Sequence, residues 1–236
     1  FIFLMTSLGA ASVLFCREDT LPKSQTGMMG FAGGVMTAAT VWSMLLPAIE
    51  QTRSEGTLPC WLPAAAGTAV GAAFLCALDA LILRLRRGGS AEKSSMLMTA
   101  ITLHNIPEGM AVGLAFALSG GADGLTAAAA LALGIGVQNV PEGAAVSLPL
   151  RRMGMSRGRA FSMGVLSGAV EPLFGMLAVM AVSGISRIMP WLLGFSAGAM
   201  LYVVVCELIP AADDRRGLFW YIAGFLLMMI LDVALG

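Results

Sequence analysis

Two glutamates hold the same place in a hexapeptide that occurs twice, as His104-Asn105-Ile106-Pro107-Glu108-Gly109 and, thirty-four residues later, as Gln138-Asn139-Val140-Pro141-Glu142-Gly143. On a helix, residues four apart share a face, so His104 lies with Glu108 and Gln138 with Glu142, while Asn105 and Asn139 border that face. Each copy thus offers a donor, an amide and a carboxylate. Imidazole with carboxylate suits Zn²⁺ and other borderline divalent ions; amide oxygens bind more weakly and favour exchange over retention. Between donor and acid sits a proline, which cannot bond to the carbonyl four residues back, Leu103 or Val137, so a kink that frees two carbonyl oxygens is expected in each helix.

The surroundings make these acids costly. The 236 residues are 58% hydrophobic and 12% charged, with a mean hydropathy of +0.85, against about 45–50% apolar in a soluble domain. Stretches of about 20 apolar residues suit a bilayer crossing. Eight can be placed, at 1–16, 27–49, 60–83, 96–119, 124–149, 160–183, 188–211 and 217–235, so the fold class expected is an all-α membrane protein of eight transmembrane helices in one domain, 1–236. Both hexapeptides fall inside spans, where a charged side chain near the centre costs roughly 2.5–3.5 kcal/mol. Glu171, before Pro172 in span 6, and Glu207, near Pro210 in span 7, add two more acids; Asp79 and Asp232 lie nearer span ends. No basic residue in the spans offsets them. Bound cations or protons must, and two divalent ions bridged by the central glutamates would neutralise four carboxylates. Met36, in span 2, is by default one of many core- or lipid-facing methionines.

Twelve of the fourteen lysines and arginines fall in the loops after spans 1, 3, 5 and 7; only Arg53 and Arg187 follow even-numbered spans. Positively charged loops stay in the cytoplasm, which places both termini outside. The basic loops 84–95 and 151–159 are read as topology signals rather than lipid sites. Span 1 begins at Phe1 without an initiating Met or basic n-region and reads as a transmembrane helix trimmed at its start rather than a signal peptide. Cys16, Cys60, Cys76 and Cys206 form no CxxC pair and no disulfide framework. Gly109 with Gly113, and the alanines and glycines before Gln138, are expected to let helices 4 and 5 approach closely, and paired interrupted segments of this kind point to a transporter's mid-membrane site.

HNIPEGMAVG in span 4, QNVPEGAAVSLPL in span 5, GVMTAATVWSMLLPAIE in span 2 and the eight-span layout together resemble the ZIP family of divalent metal transporters, in its GufA-like branch, over essentially the whole chain. The resemblance implies a ZIP-like bundle with a binuclear metal centre between spans 2, 4, 5 and 6. It implies His104, Glu108, Gln138, Glu142 and the Met36 thioether at one metal, and Asn105, Glu108, Gln138, Asn139, Glu142 and Glu171 at the other. Glu207, beside Cys206, resembles a span 7 position thought to help metal leave toward the cytoplasm. Zn²⁺ is then a substrate, with Cd²⁺, Fe²⁺ and Mn²⁺ as relatives, and no prosthetic cofactor is implied. The implied partners are divalent ions and the lipid bilayer, with a homodimer as common in the family and no nucleic acid. A bacterial inner membrane is the expected location.

Three departures from the family pattern bear on the metal. Gln138 stands where many relatives have His, Asn139 where some have Asp, and the loop between spans 3 and 4 lacks histidine. These imply weaker or broader metal binding, a less negative second position and no chelating relay in that loop. Two rivals remain. An intramembrane metalloenzyme would need further fixed ligands and a water-activating base, which a single histidine does not supply. A proton-coupled carrier of another solute would use the buried acids as relays.

Overall fold

The computed structural model describes residues 1–15, 21–85 and 90–235. Cys16 and, among the basic loop residues, Arg17, Arg86 and Arg87 lie outside the described residues, as do the side chains of Lys23, Lys93 and His104. Hydrocarbon leaves backbone groups no water to bond, so apolar sequence of this length is stable there as helix. The described residues form eight helical segments and no strand. These are α1 (Ile2–Phe15), α2 (Leu21–Ala39, a π-turn at Thr40–Leu45, then Leu46–Glu55), α3 (Leu62–Leu85) and α4 (Ser90–Leu118). Then follow α5 (Gly121–Arg152), α6 (Arg157–Met180), α7 (Val182–Val203, a π-turn at Val204–Leu208, then Ile209–Ala211) and α8 (Arg215–Leu235).

Among the described residues, six stretches are long and apolar enough to cross a bilayer, one each in α2, α3 and α5 to α8; Ile2–Phe15 and Asn105–Leu118 are apolar but shorter. The outer surface is apolar too: Leu4, Phe15, Val70, Leu81, Met176, Met180, Phe219 and Val233 are all exposed, while the buried set includes Asn105, Glu108, Gln138, Asn139, Glu142 and Glu171. An exterior of that kind needs lipid against it. The protein is an integral membrane protein of all-α class.

Four helix pairs carry most of the packing: α2 with α8, α3 with α7, α1 with α5 and α4 with α6. Glycine makes the close approaches. Gly30 and Gly34 lie against the backbone of Gly217 and Tyr221, Gly71 and Gly198 knit α3 to α7, and a Cβ at any of these four would collide with backbone of the facing helix. Edge-on rings, Phe31 with Trp220 and Trp42 with Phe225, extend the α2–α8 seam. The expectation that glycines bring α4 against α5 is corrected: Gly134 and Gly136, the glycines before Gln138, lie nearest Asp232 of α8 and Phe1. Gly109 and Gly113 face Glu171 and Gly175 of α6, and Gly143 faces Thr6 and Ala10 of α1. The physical reason is helical phase: the motif glycine follows the glutamate by one residue, about 100° around the helix, and so presents its bare face to a different neighbour than the acid does.

Prolines shape the rods unevenly. The helical assignment runs unbroken through Pro107 in α4 and Pro141 in α5. Elsewhere the lost donor is visible. The π-turn Thr40–Leu45 runs directly into Leu46-Pro47, and Val204–Leu208 into Ile209-Pro210. A widened turn re-spaces the carbonyls that a proline cannot bond, and α2 continues as helix to Glu55, beyond the apolar stretch 27–49. In α6 the helix breaks at Ala169 and restarts at Val170, so that Glu171 sits in the first turn after the interruption.

Candidate metal centre

The asparagines and glutamates of both hexapeptides, with Gln138 and Glu171, are drawn out of contact with solvent or lipid: Asn105, Gln138, Asn139 and Glu142 are 0% exposed, and Glu108 and Glu171 1%. Such burial is costly for polar groups unless each finds a partner. The Gln138 amide nitrogen donates to Glu108 Oε1 at 2.8 Å, which ties α5 to α4. Asn105 Nδ2 donates to the Ser167 carbonyl at 3.2 Å and to Glu171 Oε1 at 3.3 Å, which ties α4 to α6, and the same asparagine also lies against the Glu142 carboxylate. Thr6 Oγ1 donates to Glu171 Oε1 at 2.7 Å and brings in α1. Four helices therefore meet at one polar centre inside an apolar bundle.

Chemically, the centre is a set of carboxylates toward which Gln138 and Asn105 turn their amide nitrogens. The amide oxygens of Asn105, Gln138 and Asn139 are buried with no hydrogen-bond partner among the described residues, and Asn139 lacks a partner at its nitrogen as well. Buried carbonyl oxygens in this state are unusual, and beside carboxylates they form an oxygen-rich donor set suited to a divalent cation. Among the described residues, no three His, Cys, Asp or Glu side chains group closely enough to hold a metal on their own. The buried amide oxygens of Asn105, Gln138 and Asn139 add further oxygen donors beside the acids.

The remaining sequence candidates fall in three places. His104 lies on α4 one turn before Glu108, its side chain outside the described residues. Met36 is buried, 1% exposed, in the cluster that also holds Ala144, Ala145 and Met200; Thr40, whose hydroxyl donates to the Met36 carbonyl at 2.7 Å and lies 3.1 Å from Met200 Sδ, links α2 to α7 there. Glu207 is half-buried in the α7 π-turn next to the exposed Cys206, on a helix other than the three that carry the central acids. Asp79 accepts from Tyr202 at 2.9 Å and Asp232 from Ser43 at 2.9 Å. Sequence reasoning did not single out Thr6 or Ser167. The signal available was weak: a lone hydroxyl residue in an apolar helix usually bonds its own i−4 carbonyl.

The model of the family described as ZIP zinc transporter matches residues 83–232, which includes both hexapeptides, Glu171 and Glu207. The chain belongs to the ZIP family. Its relatives include the zinc transporter GufA of Myxococcus xanthus, 38% identical over 98% of this chain and 94% of that protein. The zinc transporter ZIP11 of Xenopus tropicalis is 36% identical over 98% of this chain and 94% of its own length. The zinc transporter ZIPB of Bordetella bronchiseptica is 37% identical over 99% of this chain and 79% of its own. The likeness to GufA agrees with the branch read from the two motifs. All three relatives of this ZIP protein are named as transporters and none as an enzyme.

Proposed function

We propose that this ZIP protein carries Zn²⁺ and chemically similar divalent ions, among them Cd²⁺, Fe²⁺ and Mn²⁺, through the membrane into the cytoplasm. The observation that carries the reading is the buried, oxygen-rich centre between α4, α5 and α6, in a chain whose relatives are named zinc transporters. Lipid excludes a hydrated dication, and carboxylates with amide oxygens can replace its water. In this reading two ions share the centre. His104, Glu108, Gln138, Glu142 and the Met36 thioether hold the first; Asn105, Glu108, Gln138, Asn139, Glu142 and Glu171 hold the second, with Glu108 and Glu142 bridging. Glu207 receives the ion on its way to the cytoplasm. All eight helices cross, both termini lie outside, and the membrane is a bacterial plasma membrane. Access alternates as one helix group moves against the other, with the proline-bearing α4 and α5 at the moving boundary.

Radiometal uptake into proteoliposomes tests this directly: zinc should accumulate in vesicles that contain the protein and not in empty ones. A metal-free preparation that concentrates a proton-coupled organic solute, with no effect of zinc, would favour the proton-coupled carrier instead.

A further inference from the structure

Glu171 Oε1 is shared by two donors, the Thr6 hydroxyl at 2.7 Å and the Asn105 amide at 3.3 Å. Thr6 is 0% exposed, and two glycines shape the notch it fills. A Cβ on Gly143 would collide with the Thr6 carbonyl, and one on Gly168 would lie 2.9 Å from both Thr6 Cβ and Cγ2. The same hydroxyl has a second acceptor, the Ile2 carbonyl at 3.4 Å. A threonine hydroxyl carries one hydrogen and two lone pairs, so it serves one acceptor well at a time.

We infer that Thr6 is a positioning residue that sets how tightly Glu171 holds a cation. With its hydrogen on Oε1, the hydroxyl stabilises the bare carboxylate and competes with a dication for that oxygen. Turned to the Ile2 carbonyl, it releases Oε1 and presents its own lone pairs to the same space. No bond is made or broken; one hydroxyl rotates. An arrangement that weakens the carboxylate's grip speeds release, which a transported ion needs and a resident cofactor does not. The inference rests on the reading of Glu171 as a ligand.

The test uses the full chain in lipid nanodiscs for calorimetric titration with Cd²⁺ alone, and in proteoliposomes for the concentration dependence of uptake. Thr6→Val keeps the branched shape and removes the hydroxyl; Thr6→Ala also removes it and serves if the valine variant fails to fold. The loss of one net hydrogen bond sets the scale at about three- to tenfold. The hydroxyl-free variant should bind Cd²⁺ that much more tightly, with a lower half-saturation concentration and a lower maximal rate. Thr6→Ser should stay close to the parent, and adding Glu171→Gln to both the parent and the Thr6→Val variant should abolish the difference between them. Unchanged affinity in the hydroxyl-free variant while Glu171→Gln alone weakens binding would overturn the role of Thr6 and leave the site standing. A serine variant that behaves like the valine one would overturn it also. Glu171→Gln without effect on binding would remove both the ligand reading and this inference.

Discussion

The two copies of the hexapeptide are nearly the same sequence on adjacent helices, yet they sit in different company. Gly109 packs against the backbone of Glu171 in α6, and Gly143, at the same motif position, packs against the backbone of Thr6 in α1. Thr6 and Glu171 thus face the same motif position of the two copies, and they hydrogen-bond each other. Asn105 bonds to α6 at both Ser167 and Glu171, whereas neither amide atom of its counterpart Asn139 has a partner among the described residues. Duplication supplied matched acids; the neighbours made the two halves unequal. One flank carries a third carboxylate and the other a hydroxyl, so the centre is asymmetric in charge although its core motif is not.

The sharpest way to break the comparison is to remove the acids the copies share. Glu108→Gln and Glu142→Gln should each lower zinc uptake by about 100-fold or more, beyond the roughly 10–100-fold typical of outer partners of a metal site. Initial uptake rates in proteoliposomes, normalised to folded protein, measure this. A smaller but telling effect concerns the glycines. Gly109→Ala and Gly143→Ala each force a methyl into facing backbone, and each should cost about 1–3 kcal/mol, read as a lower thermal midpoint. If only one of them destabilises, the two seams are not equivalent. The smallest effect separates the asparagines. Asn105→Ala withdraws a donor from a buried carboxylate and should cost about 1–3 kcal/mol. Asn139→Ala removes an amide with no hydrogen-bond partner among the described residues and should leave metal-free stability within about 0.5 kcal/mol, because no hydrogen bond is lost. The same thermal scans, run without and with Zn²⁺, should show both variants losing part of the metal's stabilisation, since a ligand that binds only the folded state raises its stability by mass action.

Much of this molecule could be read in its residues. Apolar runs bounded by basic loops marked the helical segments, because hydrocarbon permits little but helix. The motif acids and amides announced themselves by being polar where polarity is expensive, and all that are described are buried together. What escaped was whatever depends on which helix faces which. Thr6 is an ordinary hydroxyl in an apolar stretch until α1 is seen to lie in the groove that Gly143 and Gly168 open for it. Gly109 and Gly113 look like a contact between α4 and α5 in one dimension, and the helical phase turns them to α6. Prolines were equally ambiguous. Pro107 and Pro141 lie inside continuous helix, while Pro47 and Pro210, to which sequence reasoning assigned no structural role, each follow a π-turn.

The central claim is that the buried acids and amides between α4, α5 and α6 bind the transported dication. Anomalous diffraction at the zinc edge, from crystals grown with Zn²⁺, tests it most directly. The account expects one or two peaks bounded by Glu108, Gln138, Glu142 and Glu171, with the amide oxygens of Asn105 and Asn139 turned toward them. Zinc bound only elsewhere, with these side chains still bonded to one another as they are here, would contradict it.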